Sequence, residues 1–176
     1  MTTSIKPTRL DPSVAPLLAD CAHPPYSVAL ERPDQADVQA LIAALDAYQA
    51  ALYPSTGGRP TALSRLLRPE VRFMVVRNAF KQVQGCAAIV LSPEQAELQR
   101  LMIEPAARGH GLAKQLLQAL EREALRAGQR CMRLEAGLRQ RPAIHLCERM
   151  GFVPRPPFGR HRAAPFSLFM EKWLAD

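Results

Sequence analysis

Residues 96–128 read AELQRLMIEPAARGHGLAKQLLQALEREALRAG, in which a strand-like apolar run, a glycine-rich turn and a helical repeat follow one another. Glu104 and Pro105 end the strand-like run. The helical repeat is amphipathic, with charged residues opposite one apolar face. That face is predicted to contain Leu112, Leu116, Ala119, Leu120 and Ala127. Gly128 is a typical helix stop.

The glycine-rich turn between the strand and the helix has the features of an anion site. Gly109 and Gly111 permit unusual dihedral angles and a close approach of the backbone to a ligand. The start of the helix offers unpaired N–H groups and a partial positive charge, which together suit a pyrophosphate. Arg108 and Lys114 add positive charge. The alternative is a helix-entry turn whose glycines serve geometry alone.

Two other phosphate motifs do not fit this turn. A Walker A loop is absent, and the dinucleotide fingerprint fails because Lys114 occupies the position of its third glycine.

The rest of the chain divides into further strands and helices. Strands are predicted over 26–32, 71–78, 85–91, 131–137 and 165–174, with a short extended piece from Phe152. A helix capped by Asp34 runs to about Tyr53, a short one lies within 61–67, and another lies between Pro142 and Gly151. The order predicts an α/β (α+β) fold, a mixed sheet with helices on both faces.

Length and composition suit one soluble domain. The chain has 176 residues, of which 48% are hydrophobic and 22% charged. Residues 1–24 are rich in proline and read as an N-terminal tail or strap, and 25–176 as the domain. No stretch has the length of a signal peptide or a membrane span, so we expect a cytoplasmic protein that does not bind a membrane.

Cysteine and charge usage narrow the classes of function. Cys21, Cys86, Cys131 and Cys147 lack metal-site spacing, so free thiols and no metal are expected. The net charge of +7 allows an anionic partner such as a polyphosphate cofactor. Aromatic residues make up only 6% and no nucleic-acid recognition motif is present, so nucleic-acid binding is not expected.

Two blocks resemble the GNAT acetyltransferases. The first is Arg108-Gly109-His110-Gly111-Leu112-Ala113, which matches the family's pyrophosphate signature, and the second is AIHLCERMGF at 143–152. The resemblance covers roughly residues 26–176, and its ending is similar to a bacterial branch of small-molecule acetyltransferases. It implies a mixed, mostly antiparallel sheet and an N-acetyltransferase that moves an acetyl group from acetyl-CoA to a primary amine of a small molecule.

The resemblance also implies the cofactor contacts. Backbone amides of the turn would hold the pyrophosphate, and the backbone of Leu101 to Ile103 would pair with the pantetheine arm. The amide of Leu101 would polarise the thioester carbonyl. The implied cofactor-binding residues are Leu101, Met102, Ile103, Arg108, Gly109, His110, Gly111, Leu112, Ala113 and Lys114.

The proton-transfer residues are less defined by the resemblance. Glu97 stands where several members carry a catalytic glutamate, and Glu135 is a second candidate, while a solvent-facing Glu97 is the alternative. Cys147 replaces the tyrosine that usually protonates the departing thiolate, so either the thiol donates or it is simply buried. Arg100 is expected to point outward by strand alternation. Because Cys147 replaces the usual tyrosine, a non-catalytic acyl-CoA-binding or interaction module is the alternative function.

The acceptor is expected between residues 53–61 and 155–162. Tyr53, Arg155, Arg160 and Arg162 are the candidate contacts, and the arginines favour an amine that also carries a carboxylate because that loop holds no acid. The alternative is a solvated basic loop. His110 and His161 show no triad or metal spacing. A homodimer is left open.

Overall fold

The computed structural model describes residues 26–54 and 62–175. The predicted tail over 1–24 and the predicted loop over 55–60 lie outside the described residues. The division into tail and domain therefore stays a prediction.

Within these residues, seven strands form one sheet and four helices pack on it. The strands are β1 (Ser27–Leu30), β2 (Val71–Arg77), β3 (Val83–Leu91), β4 (Ala96–Ile103), β5 (Cys131–Gly137), β6 (Val153–Arg155) and β7 (Ser167–Trp173). The helices are α1 (Ala36–Leu52), α2 (Leu63–Leu66), α3 (Leu112–Arg126) and α4 (Arg141–Arg149), with a 3-10 turn at Pro105–Ala107. This order of elements is the one that the sequence predicted.

The strand order across the sheet is β1-β2-β3-β4-β5-β7-β6. Strands β4 and β5 are parallel, and every other described pair is antiparallel. The crossover between the two parallel strands contains α3, as a parallel connection requires. The prediction of a mixed, mostly antiparallel sheet is confirmed.

Two details of the helices differ from the prediction. Asp34 does not cap α1, because its carboxylate accepts hydrogen bonds from Arg32 at 2.6 Å and Gln35 takes the cap position. Ala127 is exposed because α3 ends at Arg126, and Ala124 completes the buried face instead. Gly128 does follow the end of α3, where its N–H donates to the carbonyl of Leu125 at 2.9 Å.

The sheet has two unlike faces. The face under α3 and α4, here called the α3 face, carries a continuous apolar core to which β2, β3, β4, β5 and β7 all contribute. The opposite face, here called the α1 face, carries an apolar core only beneath α1 and α2. That second core comprises Val38, Leu41, Ile42, Leu45, Leu66, Phe73, Val75, Cys86, Ala88 and Met102.

The α1 face is polar beyond β4. There β5 and β7 present Arg133, Glu135 and Glu171. Arg155 of β6 and, from the β6–β7 loop, Phe158 and His161 contact them. These charged side chains are partly exposed, and ion pairs join Arg133 and Arg155 to Glu171 and His161 to Glu135. One side of the sheet is thus apolar across five strands, whereas the other is apolar under α1 and α2 and carries charged residues beyond β4.

Candidate active site

The glycine-rich turn forms the predicted strand-to-helix junction. Gly109 and Gly111 have φ values of 85° and 71°, in the left-handed region that favours glycine. A Cβ built on either residue meets no atom within 4 Å, so the glycines are required for conformation and leave open space beside the turn. Helix α3 begins at the next residue, Leu112, and its first N–H groups have no intrahelical acceptor.

A cleft of about 720 Å³ lies beside this turn. Its walls come from α1, the end of β4, the turn itself and α4. Nine of the ten predicted cofactor residues line it: Leu101, Met102, Ile103, Arg108, Gly109, Gly111, Leu112, Ala113 and Lys114. His110 does not. Its exposed ring lies 5.9 Å from that of Tyr26, and its Nδ1 is 3.2 Å from the carbonyl oxygen of Ala107.

The cleft exists because β4 and β5 part. They pair only where Ala96 to Leu98 lie opposite Met132 to Leu134. Beyond that point β4 remains paired with β3, since the N–H of Glu104 donates to Gln84 at 2.9 Å. Strand alternation then turns the N–H and C=O of Ile103 to the other edge, towards the cleft. The Ile103 carbonyl accepts a hydrogen bond there from Nε of Arg108 at 3.2 Å.

A bulge in β4 changes which side chains face which helix. Cys86 pairs with Met102 but Ala88 pairs with Gln99, so two residues of β4 stand opposite Ala87. Leu98 before the bulge belongs to the α3 face, whereas Met102 after it belongs to the α1 face.

Arg100 sits in this bulge, and the prediction that it points outward is wrong. It has a φ of 59°, which is rare for a residue with a side chain. Its side chain is only 8% exposed and forms an ion pair with Asp46 of α1. Simple alternation could not find this contact, because the extra residue shifts the period of the strand.

A histidine from the β6–β7 loop joins the two candidate bases. Nε2 of His161 lies 3.1 Å from Oε1 of Glu97, and Nδ1 lies 2.9 Å from Oε2 of Glu135. Its ring packs against Phe158 and Phe169, at centroid distances of 4.7 and 5.8 Å. The three groups bridge β4 and β5 beside the last residues that these strands pair. A neutral imidazole donates from one nitrogen only, so the neutral ring can donate a hydrogen bond to one of the two carboxylates at a time.

No local pattern in the sequence predicts that His161 contacts these two carboxylates. His161 is separated from both carboxylates by whole helices and strands, and only the order of β5 and β7 brings it to them. The sequence shows no triad or metal spacing for His161, and its contact with the two carboxylates was not predicted.

A second, smaller cavity of about 360 Å³ follows β5 beyond the point of parting. Here it is called the acceptor-side cavity. Its lining comprises Gln49, Tyr53, Glu135, Gly137, Gln140, Ala164, Pro165, Phe166 and Ser167. Gln140 lines the large cleft as well. Tyr53 and Glu135 line this cavity, whereas Glu97 contacts His161, which in turn contacts Glu135. The role of Tyr53 as an acceptor contact stays a prediction.

The three arginines predicted to contact the acceptor lie in different surroundings. Arg155 donates to Glu171 of β7 at 2.6 Å, an acid that lies outside the loop and was not considered as its partner. Arg160 and Arg162 are exposed, and neither is among the described residues that line the two cavities.

Cys147 is buried on the α3 face, with 3% of its surface exposed, and it does not line the cleft. Burial, with a smaller effect of Glu148, raises the pKa of its thiol to about 11. The structure thus gives Cys147 the environment of a core residue. The phenol that does line the cleft belongs to Tyr48 of α1, which the sequence reasoning did not single out.

Two further observations concern the described part of the chain. No group of three or more His, Cys, Asp or Glu side chains there could hold a metal ion. None of its helices combines the length and the apolar composition that crossing a bilayer would need.

The model of the acetyltransferase (GNAT) family matches residues 38–152, a range that includes the glycine-rich turn, the parted strands and α4. The chain belongs to the GNAT family. An IAA acetyltransferase of Azospirillum brasilense is 39% identical over 153 residues, which are 86% of this chain and 99% of that relative. With such GNAT relatives along most of its length, the chain is an N-acetyltransferase.

Solved GNAT structures agree with this assignment. A protein of Klebsiella pneumoniae, described as an acyl-CoA N-acyltransferase, is 38% identical with a TM-score of 0.76, and the match covers 85% of this chain and 98% of that one. The spermidine N-acetyltransferase of Vibrio cholerae, solved with CoA and spermine, is 19% identical with a TM-score of 0.58, covering 85% and 95%. The second likeness concerns the GNAT fold alone.

Proposed function

We propose that this GNAT protein transfers an acetyl group from acetyl-CoA to a primary amine of a small molecule, by direct attack of the amine on the thioester. One observation carries the proposal. The large cleft follows β4 beyond its last pair with β5, the acceptor-side cavity follows β5 beyond the same pair, and Gln140 lines both. Two substrates would therefore approach each other at the point of parting.

The residues of the cleft fit acetyl-CoA. The amides of residues 109–113, with Arg108 and Lys114, offer donors and positive charge for a pyrophosphate. The edge of β4 that faces the cleft offers backbone groups for the pantetheine amides, and Leu146 and Met150 offer apolar contacts. The Vibrio relative solved with CoA supports this use of the fold. Acetyl-CoA supplies the acetyl group as a thioester, whose carbonyl the Leu101 amide would polarise.

Glu135 is our candidate for contact with the acceptor amine. It lines the acceptor-side cavity, whereas Glu97 does not and is connected to Glu135 through His161. The amine must lose a proton to attack, and a carboxylate within hydrogen-bond reach can accept it. Ser167 Oγ donates to Glu135 Oε1, so the side chain is held in place. Glu97 and His161 would support Glu135 in the uptake of this proton.

Arg160 and Arg162 remain a prediction as carboxylate contacts. They would serve acceptors that extend beyond the acceptor-side cavity. Tyr53 and the backbone around it would form the near wall.

The proposal is tested first on the cofactor. Acetyl-CoA at about 100 times its dissociation constant should stabilise the wild type by ~2.7 kcal/mol, measured as a rise in Tm. Gly111→Asp should remove the shift because it adds bulk and negative charge beside the turn. Gly128→Asp is the matched control, since Gly128 also has a positive φ and open space but lies at the other end of α3. Equal shifts in both variants would remove the turn from the site.

The second test concerns transfer itself. Release of the CoA thiol should depend on an added primary amine when a panel of small amines is tested. A protein that binds acetyl-CoA but releases no thiol with any amine would contradict the proposal.

A further inference from the structure

The acceptor-side cavity has a chemistry of its own, and it differs from that of the cleft. We propose that it binds a primary monoamine whose nitrogen is joined by a short alkyl arm to a flat apolar group, as in an arylalkylamine. The inference rests on the proposed function, because it assumes that this cavity holds the acetyl acceptor.

The first observation is the charge of the cavity. Among the described residues that line it, Glu135 is the only one with a charged side chain. Its two carboxylate oxygens are held by Ser167 and His161. One fixed carboxylate suits one ammonium or amine group, and it gives the nitrogen a defined position near the parting of β4 and β5.

The second observation is the pair of aromatic walls. The rings of Tyr53 and Phe166 lie 6.3 Å apart at 43° to each other. The guanidinium of Arg139 lies over both rings, at 5.8 Å and 5.3 Å from their centroids. Cation–π contacts of this kind hold aromatic rings in place. The walls are therefore prearranged, and rigid aromatic walls favour a flat apolar partner.

The third observation is that specific contacts with Gly137 and Arg139 fix the position of the Tyr53 ring. Its hydroxyl accepts a hydrogen bond from the N–H of Arg139 at 2.8 Å. A Cβ on Gly137 would lie 2.1 Å from that hydroxyl, so the ring fits only because residue 137 is glycine. The end of β5 thus holds the tyrosine ring in the wall of the cavity.

Other amines fit less well. A polyamine needs a second anion, and the described lining has none. An amino acid needs a cation for its carboxylate, and no arginine or lysine is among the described lining residues. A volume of about 360 Å³ is at the small end of ligand sites and would hold one ring with a short arm.

The experiment compares kcat/KM for 2-phenylethylamine, spermidine and 4-aminobutyrate at saturating acetyl-CoA. We expect 2-phenylethylamine to exceed the other two by at least about tenfold, the effect of burying one aromatic ring. Phe166→Ala should reduce that preference by about tenfold, and Phe166→Leu by less because it keeps apolar area but loses the flat ring. Phe80→Ala, at a residue that is 80% exposed, is the control and should leave the preference unchanged.

Each outcome has a distinct meaning. A preference for spermidine or 4-aminobutyrate, or a preference that Phe166→Ala leaves intact, would overturn this inference while the proposed function stands. Acetyl-CoA binding without transfer to any amine would overturn both, and the thermal shift with acetyl-CoA separates that case from a protein that has not folded.

Discussion

The two faces of the sheet follow different rules. On the α3 face the side chains of five strands form one apolar core under two helices. On the α1 face the apolar core stops at β4, and β5 and β7 carry charged residues beneath a loop. Helices need an apolar surface to pack on, whereas a loop can cover a polar one. We therefore expect substitutions on the α3 face to change mainly stability, and substitutions of the charged residues on the α1 face to change mainly the proposed acid–base step.

The largest effect is expected on the α1 face. Glu135→Gln should lower kcat/KM by roughly 10²–10⁴-fold, the usual contribution of a positioned general base, because the amide cannot accept the amine proton. The Tm and the affinity for acetyl-CoA should change little. Glu97→Gln should have a smaller effect, since Glu97 contacts Glu135 only through His161. Glu148→Gln, at an exposed residue of α4, serves as the control. If Glu97→Gln proves the more damaging, the roles of the two carboxylates must be exchanged.

A large effect of the opposite kind is expected on the α3 face. Leu120 is fully buried in α3, so Leu120→Ala should lower the free energy of unfolding by about 2–5 kcal/mol through lost apolar contact and a residual cavity. Its kcat per folded molecule should stay close to that of the wild type. Chemical denaturation and active-site titration would measure the two quantities. A loss of kcat equal to that of Glu135→Gln, in protein that remains folded, would show that the faces are not separable.

The smallest effect is expected at Cys147, which the motif places among the catalytic residues and the structure places on the α3 face. Cys147→Ala should leave kcat and its pH profile unchanged within a factor of two. The stability of the wild-type protein, in contrast, should fall at alkaline pH because of this thiol. Burial raises the pKa of the folded thiol to about 11, above the unfolded value, so the unfolded state loses its proton first and stability falls as pH rises above about 9.

The variant should lose less stability than the wild type over this alkaline range, since it lacks the thiol. Urea unfolding at pH 8 and pH 10 measures the difference. A changed pH profile of kcat in the variant would return Cys147 to the reaction.

Features of the fold that depend on local sequence could be predicted, whereas contacts that depend on strand pairing could not. Element order and the glycine-rich turn depend on local signals, namely residue periodicity, a glycine at a helix start and a glycine at a helix end, and these were found. Arg100 was misplaced because one extra residue in β4 exchanges the faces that follow it. His161 was missed because its partners lie on strands that are distant in the chain and adjacent only in the sheet. Long-range pairing of this kind leaves no mark on the sequence around a residue.

Helix α1 is a wall that the two cavities share. Leu45 and Tyr48 line the large cleft, and Gln49 and Tyr53 line the acceptor-side cavity. Asp46, which follows Leu45 in the same helix, forms an ion pair with Arg100 in the β4 bulge. A shift of this one helix therefore alters both cavities and the strand between them at once. For the proposed reaction we therefore expect a substitution in α1 that changes the Michaelis constant of one substrate to change that of the other as well, so both should be measured.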